Sequence, residues 1–158
     1  MSEERNLSLD VGKKLYEVSD DVQAVAKKVV TDKNMELEPA VIKYVKVYPN
    51  ISKKVAGRCI LSSAMIKLFG DCDYIIQVSG GLWDELDENR KEILMYHELL
   101  HVKPVFGEKS GEWRMTLRDH DIQDFYVIIK QHGIEWFNEL KTLNASVYEL
   151  TDSEGFTI

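Results

Sequence analysis

Behind Ser19-Asp20-Asp21, apolar residues recur at three- and four-residue spacing over Val22, Val25, Ala26, Val29 and Val30. That spacing predicts a helix over about 20–32 with a capped start and one buried stripe. Val41 to Tyr48 is rich in β-branched and aromatic residues and stops at Pro49, which cannot donate to a ladder, so it reads as a strand. Over 54–69 the apolar positions Val55, Cys59, Ile60, Met65, Ile66 and Leu68 fit either a strand pair or a helix. Asp73 to Ser79 is a second strand, closed by Gly80-Gly81. From Asp87, a charged first turn of Glu88, Arg90, Lys91 and Glu92 leads into Ile93, Leu94, Met95, Tyr96, Leu99 and Leu100. Apolar nearly all round, this run predicts a buried helix ending near Pro104 and Gly107. A polar loop over 107–112 precedes a long helical pattern from about Leu117 through Ile122, Phe125, Tyr126 and Ile129 to a stop at Gly133. Trp136, Phe137 and Leu140 predict a short helix packing back. Residues 1–18 and about 145–158 carry little periodicity and read as loosely packed tails. Strands and helices in this order place the chain in the α+β class.

With 158 residues the chain is long enough for one domain with a core of its own, needing neither disulfides nor a structural metal to fold. Any metal is therefore expected to be functional. Twenty Lys plus Arg against 27 Asp plus Glu leave a net charge of −7. Such a balance argues against general nucleic-acid binding, which needs a basic face to displace counterions. The opening residues carry charge and no apolar h-region, and no stretch approaches the length of a membrane span, so the expected place is the cytoplasm. Cys59 and Cys72 stand far apart and outside any CxxC, as free thiols do in a reducing compartment.

The buried helix carries His97-Glu98-Leu99-Leu100-His101, a match to HExxH. Residues i and i+4 lie one turn apart on the same helix face, so two imidazoles can converge on one cation while Glu98 stands beside them to act on a metal-activated water. With 4 His and 15 Glu, the pattern arises by chance in roughly one chain in a hundred of this composition. Burying two imidazoles and a carboxylate in the most apolar segment without a ligand would cost several kcal/mol in unmet polar groups.

A catalytic zinc takes three protein ligands plus water. The longer HExxHxxGxxH form is absent, since Pro104 and Gly107 stand where Gly and His are needed. His120, read as opening the next helix, is the leading third ligand, with Glu108 and Glu112 on the intervening loop as rivals. His120 and Asp124, a turn apart, resemble the GluxxxAsp of thermolysin-like gluzincins. By that analogy Asp124 accepts the free N–H of His97 or His101 and fixes its tautomer, with Asp121 the rival for either role. His132 lies twelve residues further on, about 18 Å along a continuous helix, too far for the same ion. The strand before the HExxH helix offers main-chain groups of Ile75, Ile76, Gln77 and Val78 for pairing with an extended peptide; an ordinary core strand would look the same. Tyr74, Arg114, Arg118 and Tyr126 are candidate partners for an oxyanion or carboxylate.

The run Asp73-Tyr74-Ile75-Ile76-Gln77-Val78-Ser79-Gly80-Gly81-Leu82-Trp83-Asp84, then Leu86-Asp87, the HExxH segment and His120-Asp121-Ile122-Gln123-Asp124-Phe125, resembles the putative phage metallopeptidase family over about residues 14–141. These are small zincin-like proteins of bacteriophages and prophages. The resemblance implies a minimal zincin-like domain: a small mixed or antiparallel sheet packed on the HExxH helix and on a second, ligand-bearing helix. It also implies peptidase activity, without naming a substrate. The leading expectation is a Zn²⁺-dependent peptidase, cytoplasmic in its bacterial host, with His97, His101 and His120 as ligands, Glu98 as general base and a peptide or protein as substrate. The alternative is a zincin-shaped binding or regulatory protein that keeps the metal site without proteolysis. A DNA-associated protease fits HExxH but fits poorly with the acidic charge.

Overall fold

The computed structural model describes residues 8–121, 124–150 and 155–158. A hairpin of β1 (Ser8–Val11) and β2 (Lys14–Val18) turns at Gly12, whose φ of +67° suits a residue without a side chain. The Ser19 hydroxyl then accepts the Val22 amide hydrogen at 3.3 Å and starts α1 (Asp20–Asp32), whose stripe of Val22, Ala26 and Val29 is buried. There follow β3 (Ile42–Tyr48), β4 (Gly57–Leu61), α2 (Ala64–Gly70) and β5 (Tyr74–Ser79). The chain passes directly from β5 into α3 (Gly80–Glu85), which buries Leu82 and Trp83. Asp87 caps α4 (Glu88–Leu100) by accepting the Arg90 amide hydrogen at 2.8 Å. A second hairpin, β6 (Val102–Phe106) and β7 (Trp113–Leu117), precedes α5 (Tyr126–His132) and α6 (Glu135–Val147).

Five strands form one mixed sheet in the order β1-β2-β3-β5-β4, with β3 and β5 parallel and the other neighbours antiparallel. Helices α1 and α4 pack on each other, and the core fills with Val22, Ala26, Ile76, Val78, Leu82, Trp83, Leu94, Met95 and Leu99. Full burial of each such Val, Leu, Ile or Met side chain is worth about 1.5–3 kcal/mol. The Tyr74 hydroxyl joins the two sheets by donating to the Thr116 carbonyl at 2.6 Å and accepting from the Lys103 N–H at 3.3 Å. Among the described residues, no helix is long and apolar enough to cross a membrane.

Several sequence expectations are corrected. Strand β5 is interior: its main chain pairs with β3 on one side and β4 on the other, so Ile75, Ile76, Gln77 and Val78 offer no free edge to a peptide. The edges are β1 and β4, and β4, the neighbour of β5, lies inside the ambiguous stretch 54–69, which holds a strand followed by a helix. The long helix expected from Leu117 is instead β7, a connecting segment and α5. Leu117 finds its partner in the ladder opposite Val102, and the polar run Arg118-Asp119-His120-Asp121 has no apolar stripe to hold a helix on the core. Among the described residues no second ligand-bearing helix forms, because His120 lies outside helix and strand; Ile122 and Gln123 lie outside the described residues. Of the two expected loose tails, residues 8–18 are a hairpin paired with β3, while 155–158 ends with Phe156 and Ile158 buried. Residues 1–7 and 151–154 lie outside the described residues.

Candidate metal centre

The last turn of α4 presents His97 and Glu98, both fully buried, and His101 follows as its C-terminal cap. Each imidazole is oriented through one ring nitrogen. His97 Nδ1 lies 2.6 Å from Asp124 Oδ1 and donates to it, while His101 Nδ1 donates to the Arg118 carbonyl at 2.8 Å. Both acceptors fix the Nδ1–H tautomer and leave Nε2 with its lone pair. His120 completes the group: ligand nitrogens of His97, His101 and His120 all lie within 4.8 Å of one another.

This donor set fits a cation. His97 Nε2 and His120 Nε2 face each other at 2.8 Å, and two lone pairs so placed repel unless a proton or a cation lies between them. Three nitrogens around an ion at about 2.0–2.1 Å from each is the ordinary demand of zinc. Burial lowers the pKa of His97, His101 and His120 below the usual imidazole range, outweighing the Asp124 carboxylate in the case of His97, and so favours the neutral form that ligates. The Phe125 ring touches all three imidazoles, with centroid separations of 5.2, 5.2 and 5.3 Å, and the Arg118 guanidinium lies 4.8 Å over the same ring.

Asp124 receives donors only. Oδ1 accepts His97 Nδ1–H and the Phe125 amide hydrogen at 2.8 Å, while Oδ2 accepts Trp136 Nε1–H from α6 at 2.9 Å. Trp136 was legible only as a packing residue, although a buried indole N–H always needs an acceptor. Asp121 instead pairs with Arg118 at 3.7 Å and acts on His120 through its charge. Glu108 and Glu112 are exposed in the β6–β7 turn, outside the cluster, and His132 closes α5 away from it. Tyr74 is engaged between the sheets, Arg114 is exposed, and the Tyr126 side chain lies outside those described.

The Glu98 carboxyl lies against the start of β4. Neither carboxylate oxygen has a hydrogen-bond partner, and burial raises the carboxyl pKa to about 8 against the pull of Arg58. Gly57 makes room for it: a Cβ there would stand 2.8 Å from Glu98 Oε1 and 3.2 Å from Cδ. Sequence reading passed over Gly57. The available signal was a glycine opening a strand after a small residue, Ala56, which marks a close approach by another group.

A family model described as putative phage metallopeptidase matches residues 14–147. No curated protein matches the chain, and no solved structure does.

Proposed function

Because the chain belongs to the putative phage metallopeptidase family, we propose that it is a zinc-dependent hydrolase of peptide bonds, built on a minimal zincin-like centre. The observation that carries this reading is the convergence of His97, His101 and His120 beside a buried carboxylate that has no partner of its own. A bound zinc ion supplies Lewis acidity, bringing the pKa of a water toward neutrality and polarising a carbonyl.

The protein's own groups do the rest. Glu98 takes the proton of the attacking water at a carboxylate oxygen and delivers it to the departing amine nitrogen. Its apolar surroundings strengthen its hold on that proton relative to a carboxylate in water, which suits a group that must carry the proton between two steps. Asp124 and the Arg118 carbonyl hold the His97 and His101 rings in the tautomer that presents Nε2.

The test uses protein stripped of metal, reloaded with zinc and assayed on a quenched-fluorescent random peptide library. Wild type is expected to take up one zinc ion and to cleave. Glu98→Gln is expected to keep the ion and lose about 10²–10⁴-fold in turnover. Full turnover by the Gln variant, or failure of wild type to take up zinc, overturns the reading.

A further inference from the structure

The edge of the five-stranded sheet continues backward from β4 through Lys54, Val55 and Ala56, and there it is occupied. Thr157 N–H donates to the Lys54 carbonyl at 2.6 Å, and Ala56 N–H donates to the Thr157 carbonyl at 2.8 Å, a parallel bridge of Val55 with Thr157. Side chains of an extended segment alternate, and here Phe156 and Ile158 are buried while Thr157 between them is exposed. The Phe156 ring packs at 5.9 Å on Phe137, and both buried residues join the core that includes Ala56 and Phe125. Ala56 adjoins Gly57, which abuts the Glu98 carboxyl. The segment thus runs along the sheet edge up to the residue next to Gly57, behind which the general base lies fully buried. A base that must meet water and a scissile bond cannot work while sealed.

We infer that the Lys54–Gly57 edge is a groove for an extended peptide bearing an aromatic side chain and, two residues on, a β-branched aliphatic one, and that residues 155–158 fill it in cis as a substrate mimic. This rests on the peptidase reading and adds its substrate class and its restraint. Main-chain pairing at the edge supplies affinity irrespective of sequence, and the two apolar pockets select side chains. A segment tethered in cis competes at an effective concentration of order millimolar, so a free peptide of ~100 μM affinity should bind about tenfold more weakly to the full chain than to one lacking the segment.

The probe is a fluorescein-labelled, amidated Gly-Phe-Thr-Ile peptide, read by polarisation on zinc-loaded protein carrying Glu98→Gln so that the probe is not consumed. The full chain is compared with a form ending at residue 154 and with Thr157→Pro, which removes the donor to Lys54 in an otherwise intact chain. Both altered forms should bind about tenfold more tightly than the full chain, and Gly-Ser-Thr-Ser should not bind. Equal binding by all three folded forms overturns the inference, as does absence of binding to a folded shortened form. Loss of cooperative melting in both altered forms also overturns it, since the segment would then be core. If the tenfold difference holds but no form with Glu98 intact cleaves any peptide, the groove stands and the hydrolase reading falls.

Discussion

Replacing Gly57 by Ala adds one methyl group at the point where β4 meets Glu98. That methyl would stand 2.8 Å from Oε1, 3.2 Å from Cδ and 3.3 Å from Cγ, while ordinary contact begins at 3.4 Å. Oε1 must therefore withdraw by at least 3.4 − 2.8 = 0.6 Å. Gly57 does not occupy the left-handed region, so alanine meets no backbone strain, and the atoms that must move belong to a flexible side chain. Relief of glycine's unfolded-state entropy contributes about 0.5–1 kcal/mol, which offsets the local repacking and leaves the melting temperature within a few degrees. Catalysis is less forgiving. A misplacement of about 1 Å costs on the order of 10²-fold, so 0.6 Å is expected to cost roughly ten- to a hundredfold in kcat/KM, or about 1.4–2.7 kcal/mol of barrier. The three atoms nearest the added methyl all belong to Glu98 and none to a histidine, so zinc stoichiometry should stay at the wild-type value. The assay is cleavage of the peptide library beside metal analysis and a thermal melt. Wild-type kcat/KM in a folded, zinc-loaded Gly57→Ala protein would refute the placement of Glu98 as the base acting from this pocket.

Three further outcomes follow from the same contacts. Asp124→Asn turns an amide NH₂ toward at least one of the three donors now aimed at the carboxylate, and is expected to weaken zinc binding by about 10–100-fold in chelator competition; unchanged affinity would remove Asp124 from the support of His97. Zinc should stabilise the fold by about 2.7 kcal/mol at a free concentration one hundred times its Kd, and a chelator should abolish that gain in thermal melts; a melting temperature indifferent to zinc would contradict the three-histidine site. Burial raises the pKa of Asp21, but hydrogen bonds from Ser19, Lys46 and Trp83 outweigh it and lower the carboxyl to about 2. With its ordinary value at 3.8, this group's contribution to stability is complete above about pH 4 and is lost as pH falls toward 2. Asp21→Asn should therefore flatten melting temperature against pH in that window, and a parallel pair of curves would refute the assignment.

What could be read in advance was whatever depends on neighbours along the chain. The stripe of Val22, Ala26 and Val29, the β-branched run ending at Pro49, and the i, i+4 pair His97 and His101 are local patterns, and the structure shows each in its element. A contact of Asp124 with either His97 or His101 was expected by way of a helix that does not form; the structure has it with His97, the carboxylate arriving just ahead of α5. What failed depends on partners distant in sequence. Periodicity identifies β5 as a strand but says nothing of which strands flank it, so an edge open to a peptide and an interior strand read alike, and the structure has the interior one. Trp113 to Leu117 becomes a strand because Val102 to Phe106 lies opposite, and the exposed hairpin at residues 8–18 is held by pairing with β3. Gly57 acquires meaning only when Glu98 arrives against it.

One phenyl ring has a consequence for how the centre can move. Phe125 bears on the imidazoles of His97, His101 and His120 together, and it is also the residue from which α5 starts. Three donors resting on one bearing cannot drift independently: a tilt of that ring is passed to the whole tripod, and a rotation at the head of α5 is passed to that ring. The trio is thus geared to a helix outside the HExxH segment, and a change far along that helix can retune all three donors in a single stroke.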